Sequence, residues 1–166
     1  MPLVAFDYRF RTRLPASADA AYRWATDYAP DDWRRMGRDG TRRIRLLAPE
    51  TILLTDRVRV DGRFVTKVRL VRLRPRARAW TNTHLAGPSR HSQFLYRIVP
   101  QGRRASRLEF VGLQVEPSAR RLSRAALAAR ARVVAREDAA LWRRLARTMG
   151  EELGTATPGR RPRRRV

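Results

Sequence analysis

The chain has 166 residues, of which 43% are hydrophobic and 8% aromatic, which is enough for one domain with a continuous core and too few for two. The absence of cysteine excludes disulfides, thiolate nucleophiles and cysteine-based zinc or iron–sulfur sites. No apolar run approaches the roughly 18 residues of a membrane span, and a charge already occurs at Asp7, so we expect a soluble, cytoplasmic protein without a secretory signal.

The formal net charge of +23 has two explanations. A polyanionic partner, either nucleic acid or an anionic membrane, would account for it. Composition would account for it as well, because Lys67 is the only lysine among the 38 basic residues and the chain is rich in alanine, a pairing typical of GC-rich genomes. Residues 1–153 are predicted to form the domain and residues 154–166 a disordered tail. A weak nonspecific contact with a polyanion is assigned to the tail residues Arg160, Arg161, Arg163, Arg164 and Arg165.

The first predicted element is a strand in which apolar and charged side chains alternate, as in a sheet with one wet face. Its inward face comprises Phe6, Tyr8, Phe10, Thr12 and Leu14. A short helix is predicted over residues 18–28, with Ser17 as its N-cap. A second helical turn over residues 30–36 starts at a proline and carries Trp33.

Six strands are predicted next, because β-branched and aromatic runs alternate with proline and glycine punctuation. The pair Asp61-Gly62 is a strong hairpin signal. The six strands cover residues 42–48, 51–60, 63–74, 78–85, 91–99 and 106–115.

A long amphipathic helix is predicted after Pro117, because no proline or glycine occurs before Gly150. Ser118 and Ser123 are both candidate caps. The half before residue 133 has the weaker apolar stripe, so we expect a break or a mobile start there and firm packing over residues 133–153.

This order of elements resembles the SRPBCC/START superfamily, which includes lipid-transfer domains and polyketide cyclase/dehydrase proteins. The resemblance covers about residues 3–153 and rests on topology and on three local runs. The runs are Leu14-Pro15-Ala16-Ser17-Ala18-Asp19-Ala20-Ala21-Tyr22, Thr26-Asp27-Tyr28, and Glu137-Asp138 followed by Leu141. The resemblance implies an α+β helix-grip fold, in which a seven-stranded antiparallel sheet curls around the C-terminal helix and leaves a pocket roofed by two short helices. It implies no shared catalytic signature.

The bulky side chains of the chain either line such a pocket or pack into a closed core. A pocket lined by aromatic residues with a few polar groups is the usual form of a small-molecule site. The predicted ligand-binding residues are Tyr8, Phe10, Trp33, Asp56, Phe64, Trp80, Asn82, His84, Phe94, Tyr96, Phe110 and Trp142.

Asp56 is the first candidate for chemistry, because strict strand alternation points its carboxylate inward. It acts either as a general base or ligand anchor, or as the partner of a neighbouring arginine. His84 and Tyr96 complete the catalytic candidates. Burial of Trp80 favours an inward face with Asn82 and His84, although a one-residue change of register would reverse it.

Three functions follow from these observations. The first is binding or transport of a hydrophobic small molecule, such as a lipid, isoprenoid or polyketide. The second is cyclase- or dehydratase-like catalysis in the same pocket, and the third is sequence-nonspecific binding of nucleic acid or anionic membrane. No cofactor or metal is predicted, because the sequence contains two histidines, no cysteine and no phosphate-binding loop. Oligomeric state has no signature in the sequence.

Overall fold

The computed structural model describes residues 1–154, and the predicted tail lies outside them from residue 155 onward. Seven strands and three helices follow the predicted order, with a 3-10 turn at Pro75–Ala77. The strands are β1 (Leu3–Leu14), β2 (Gly40–Ala48), β3 (Thr51–Val60), β4 (Arg63–Arg74), β5 (Ala79–Ala86), β6 (Gln93–Pro100) and β7 (Ser106–Pro117). The helices are α1 (Ala18–Thr26), α2 (Asp32–Arg35) and α3 (Arg124–Gly154).

All seven strands form one antiparallel sheet in the order β1-β7-β6-β5-β4-β3-β2. Sequential strands are neighbours except that β1 joins the far end beside β7, so α1 and α2 bridge the two edges of the sheet. This confirms the predicted α+β fold class. Strand bounds follow local alternation and turn residues closely, and β3 and β4 have the predicted limits.

The side chains of β5 point in the directions that the sequence favoured. Trp80 lies opposite Tyr96, and Asn82 lies opposite Phe94. Trp80, Asn82 and His84 are buried, whereas Leu85 is exposed. The inward face of β5 therefore carries its two polar side chains into the interior.

Helix caps position the ends of α1 and α3. The Ser17 hydroxyl accepts a hydrogen bond from the Ala20 N–H, and the Ser123 hydroxyl accepts one from the Ala126 N–H. Of the two candidate caps of α3, Ser123 is therefore the one used. The helix continues from Arg124 to Gly154 without interruption, so the predicted break is absent from this segment. The buried residues of α3 are Val134, Ala139, Ala146 and Met149, all in the half that was expected to pack firmly.

The placement of Phe64 contradicts the sequence prediction. Its side chain is 42% exposed on the outer face of the sheet, where the Arg57 and Arg59 guanidinium groups lie 4.4 and 4.6 Å from its ring centroid. The reason is the strand register, because Phe64 lies directly opposite Arg59 and paired residues of neighbouring strands point to the same face of the sheet, here the outer one. Cation–π contacts take the place of burial for this ring.

Candidate functional site

A cavity of about 410 Å³ lies between the inner face of the sheet, the α1–α2 segment and α3, and it opens to solvent on one side. Its wall combines aromatic rings with charged and polar groups. The aromatic lining comprises Tyr8, Trp24, Tyr28, Trp33, Trp80, Phe94, Tyr96 and Trp142. The charged and polar lining includes Asp32, Arg35, Arg38, Arg42, Lys67, Arg69, Asn82, His84, Gln114, Glu116, Arg130, Glu137 and Asp138.

The aromatic floor is built by adjacent strands and closed by α3. The rings of Trp80 and Tyr96 stack with centroids 4.8 Å apart and planes within 3° of parallel. Trp142 of α3 lies against both, with centroids 6.2 Å from Trp80 and 5.8 Å from Tyr96. Because β5 and β6 place Trp80 opposite Tyr96, strand register alone brings these two rings together. The result is a closely packed aromatic cluster at the floor of the cavity.

Asp56 lies behind the cavity wall in a buried ion network. Its carboxylate accepts hydrogen bonds from Arg42 at 2.6 Å, Arg69 at 2.5 Å and Trp33 Nε1 at 3.0 Å. Burial acts to raise the pKa of Asp56, but Arg69 and Arg42 outweigh it and the pKa is lowered. Asp56 is therefore an ionised group whose two oxygens already have partners, and it does not line the cavity.

The network also fixes α2. Arg42 forms a second ion pair, with Asp32 of α2, and its guanidinium lies 5.6 Å from the Trp33 ring centroid. The Asp32 carboxylate accepts a hydrogen bond from the Ala29 N–H at 3.0 Å. A helix of only four residues is thereby held over the sheet edge by charge and hydrogen bonds.

Several buried polar atoms of the wall make no hydrogen bond within residues 1–154. They are both ring nitrogens of His84, Asn82 Oδ1 and Arg69 Nε. His84 and Asn82 are only 8% and 4% exposed, and Arg69 lies opposite His84 in the β4–β5 register. Burial, together with the nearby Arg69 and Lys67 charges, lowers the pKa of His84 to about 3. His84 is therefore a neutral imidazole whose one donor and one acceptor are closed off from solvent at the cavity wall.

The opposite wall carries an acid on α3. Asp138 accepts a hydrogen bond of 2.6 Å from the Tyr8 hydroxyl, which ties α3 to β1. Burial raises the pKa of Asp138, and burial together with the Asp138 charge raises the pKa of Tyr8. Lys67 of β4 also lines the cavity, and its ammonium nitrogen lies 5.9 Å from the Trp33 ring centroid.

The predicted site residues fall into four groups. Phe10 and Phe110 stack on one another at 4.5 Å and belong to the core beneath the cavity, and they are not among its lining residues. Asp56 lies behind the wall, and Phe64 is outside the site altogether. The predicted residues that line the cavity are Tyr8, Trp33, Trp80, Asn82, His84, Phe94, Tyr96 and Trp142. Among the catalytic candidates, His84 and Tyr96 therefore reach the cavity and Asp56 does not.

Sequence reasoning missed the charged wall. Lys67 and Arg69 occupy inward positions of β4, the same parity as the buried Val71. Charged residues at strand positions where alternation calls for apolar ones would have indicated this wall from the sequence. Asp138 was singled out only as part of a local run, although its inward position follows from helical spacing to Leu141 and Trp142.

Structures of several proteins superpose on this chain. The Zhui aromatase/cyclase from Streptomyces sp. R1128 matches with a TM-score of 0.70 and 16% identity over 94% of this chain and 99% of its own. Norcoclaurine synthase from Thalictrum flavum, solved in complex with dopamine and hydroxybenzaldehyde, matches with a TM-score of 0.67 and 12% identity over 93% and 90%. A START superfamily protein from Mycobacterium smegmatis matches with a TM-score of 0.61 and 16% identity over 91% and 99%.

This chain has the SRPBCC/START helix-grip fold. No family model matches its sequence, and no curated protein is significantly similar to it. The resemblance inferred from the sequence is thus confirmed at the level of fold. At identities of 12–16% the likeness transfers no catalytic residue, because one fold supports several activities. None of the helices within residues 1–154 is long and apolar enough to cross a membrane.

Proposed function

We propose that this helix-grip protein binds a small molecule with an apolar, aromatic or polyketide-like body and at least one polar oxygen group. The observation that carries the proposal is the set of unpaired buried polar atoms of Asn82, His84 and Arg69 beside an aromatic cavity of about 410 Å³. A buried polar atom without a partner costs about 1–3 kcal/mol. A ligand oxygen that pairs with these atoms would recover that cost on binding.

Both the volume of the cavity and the chemistry of its lining are those of a small-molecule site. Ligand cavities of about 300–1,000 Å³ are lined mainly by apolar groups, with a few polar groups that fix orientation. Here the stacked Trp80 and Tyr96 supply the apolar surface, and His84 supplies one donor and one acceptor. Two of the superposed structures are of an aromatase/cyclase and of a synthase solved with two aromatic compounds, which supports an aromatic ligand class.

The acid/base alternative has less support than binding. It requires Asp56 to act with His84 or Tyr96, but both Asp56 oxygens are held by Arg42 and Arg69. His84, with a pKa of about 3, is a weak base at neutral pH. We therefore place recognition of the ligand, and not proton transfer, at these residues.

Binding of 2-naphthol compared with naphthalene tests the proposal. Quenching of tryptophan fluorescence should be saturable for both probes, and 2-naphthol should bind about 2- to 12-fold more tightly, which corresponds to one added hydrogen bond. Asn82→Leu should abolish the difference between the probes. Thr83→Val, on the same strand and the opposite face, is the matched control and should preserve it. Lack of saturable binding of either probe would refute a ligand-binding cavity.

A second candidate function rests on the outer face of the sheet. Arg9, Arg11 and Arg13 are exposed on β1, and Arg97 and Arg107 continue the same face across β6 and β7. Arg107 and Arg11 share the single carboxylate of Glu109, so the row has an excess of positive charge. Such a surface fits the phosphate backbone of nucleic acid without reading its sequence.

Salt titration of single-stranded DNA binding tests the second candidate. Replacing Arg9, Arg11 and Arg13 by Ser should lower the slope of log K against log salt by about two, since each phosphate contact contributes about 0.7. Replacing the exposed Arg143, Arg144 and Arg147 of α3 removes equal charge elsewhere and serves as the control. Equal losses in both triple variants would assign the binding to net charge. A loss seen only with anionic vesicles would assign the surface to a membrane.

A further inference from the structure

We propose that Lys67 is a reactive amine that forms a reversible imine with an aldehyde or ketone held in the cavity. This inference rests on the proposed function, because the carbonyl compound must first occupy that cavity. It adds covalent capture to recognition and narrows the ligand to one carrying a carbonyl group.

The placement of Lys67 is fixed by the strand around it. The residue lies on the inner face of β4 opposite Asp56, and its side chain lines the cavity. A β-bulge between β4 and β5 brings Gly87 so close that a Cβ there would lie 3.2 Å from Lys67 Cγ. The Gly87 backbone therefore lies beside the stem of the Lys67 side chain, whose nitrogen lies 5.9 Å from the Trp33 ring centroid.

Lys67 forms no ion pair with a carboxylate of residues 1–154. The facing acid Asp56 is paired with Arg42 and Arg69, and the acid on α3, Asp138, is bonded to Tyr8. Arg69 and Arg38 add positive charge to the same wall. Burial, followed by the charges of Arg69 and Arg38, lowers the pKa of Lys67 despite the opposing effect of Asp56. Desolvation and a neighbouring cation are the two conditions that activate a lysine amine toward carbonyl compounds.

The reaction is a simple condensation. The lone pair of the unprotonated Lys67 nitrogen forms an N–C bond to the carbonyl carbon while the C=O π pair moves to oxygen, which takes up the proton lost by nitrogen. The resulting carbinolamine accepts a proton from solvent, loses its hydroxyl as water and forms the C=N bond. The nitrogen then returns one proton to solvent, so the net change is the release of one water molecule. No oxidant or reductant is consumed.

Reductive trapping with 2-naphthaldehyde tests the inference on the full-length protein. Sodium cyanoborohydride near neutral pH converts any imine to a stable amine, and peptide mass mapping locates it. Because Lys67 is the only lysine, the Met1 α-amine is the one other primary amine of the chain and serves as an internal reference. Nα-acetyl-lysine in the same solution gives the reactivity of an ordinary lysine. We expect Lys67 to be modified faster than Nα-acetyl-lysine, because burial lowers its pKa and the cavity holds the aldehyde beside its nitrogen.

Two controls separate the possible results. Lys67→Arg keeps the positive charge and should leave modification at Met1 alone. Excess 2-naphthol should slow the modification of Lys67 and leave that of Met1 unchanged, since only Lys67 lies in the cavity. Saturable binding of 2-naphthol with Lys67 no more reactive than Nα-acetyl-lysine would overturn the imine and leave the proposed function intact. Fast modification of Lys67 without competition by 2-naphthol would instead count against the cavity as the ligand site.

Discussion

The carboxylate of Asp56 compensates the positive charges of two buried arginines. Its side chain is fully buried, and the side chains of Arg42 and Arg69 are 4% and 15% exposed. Removing one partner of a buried ion pair leaves an uncompensated charge and costs about 3–5 kcal/mol. Asp56→Asn should therefore lower the free energy of unfolding by about that amount, as measured by denaturant titration.

The matched control is Asp39→Asn at the exposed Arg59–Asp39 pair, whose side chains are 49% and 65% exposed. Exposed pairs contribute about 0–1 kcal/mol, so this variant should remain close to the wild type. An Asp56→Asn protein as stable as the Asp39→Asn protein would mean that the network does not hold the structure together.

His84 predicts a dependence of stability on pH. Its pKa is lowered to about 3 in the folded protein, chiefly by burial, whereas an unfolded histidine titrates near 6.5. Between these values the unfolded state binds a proton that the folded state does not, so stability falls as the pH falls below about 6.5. The contribution of neutral His84 is fully present above about 6.5.

Comparison with His84→Gln isolates this effect. As the pH falls from about 6.5 to 5, the unfolding free energy of the wild type should fall relative to the variant, with a slope that rises from about 0.7 to about 1.4 kcal/mol per pH unit. Above about pH 6.5 the two curves should run parallel. Parallel curves over the whole range would show that His84 has the same pKa in the folded protein as in the unfolded chain.

At the scale of elements, β7 depends on a glycine at its centre. Gly112 lies between Tyr8 of β1 and Phe94 of β6 in the register. A Cβ at this position would lie 2.7 Å from the Phe110 ring and 2.9 Å from the Phe94 ring. A glycine inside a strand often marks such a close approach. Here it leaves room for the aromatic cluster that supports the cavity.

Gly112→Ala should therefore displace these rings. Overpacking of a filled core costs about 1–3 kcal/mol, which a denaturant titration would measure, and the affinity for 2-naphthol should fall with it. Gly154→Ala, where no atom of residues 1–154 lies within 4 Å of the added Cβ, is the control and should leave both quantities unchanged. Unaltered stability of Gly112→Ala would indicate that the two rings relax freely.

At the scale of the whole molecule, the two faces of the sheet carry different kinds of side chain. Its inner face gathers aromatic rings and unpaired polar atoms around the cavity, and its outer face carries rows of arginine. Period-two alternation produces this separation, because successive side chains of a strand point to opposite faces. The two candidate functions thus use different surfaces and can be tested independently.

Alternation and turn residues were sufficient to predict the elements and their order, and the resemblance to a known superfamily supplied the fold. Because alternate residues of a strand point to the same face, the spacing of Phe6, Tyr8 and Leu14 predicted the buried face of β1. The Asp61-Gly62 pair predicted the β3–β4 hairpin. These signals are local, since each depends on neighbours along one strand or turn. Phe64 was assigned to the site because of its large apolar ring, and this was wrong, because its position along β4 places it on the outer face of the sheet.

The sequence by itself determined the order of elements, because that order follows from short-range periodicity, and its resemblance to the SRPBCC/START superfamily predicted the fold class and the aromatic-lined pocket. Only the tertiary structure decided which polar groups are paired. The Tyr8–Asp138 bond joins residues 130 positions apart, and the Asp56 network joins α2 to three strands. Whether His84 and Lys67 remain unpaired in the cavity depends on where such distant partners lie, and a pattern of neighbouring residues carries no information on those distances.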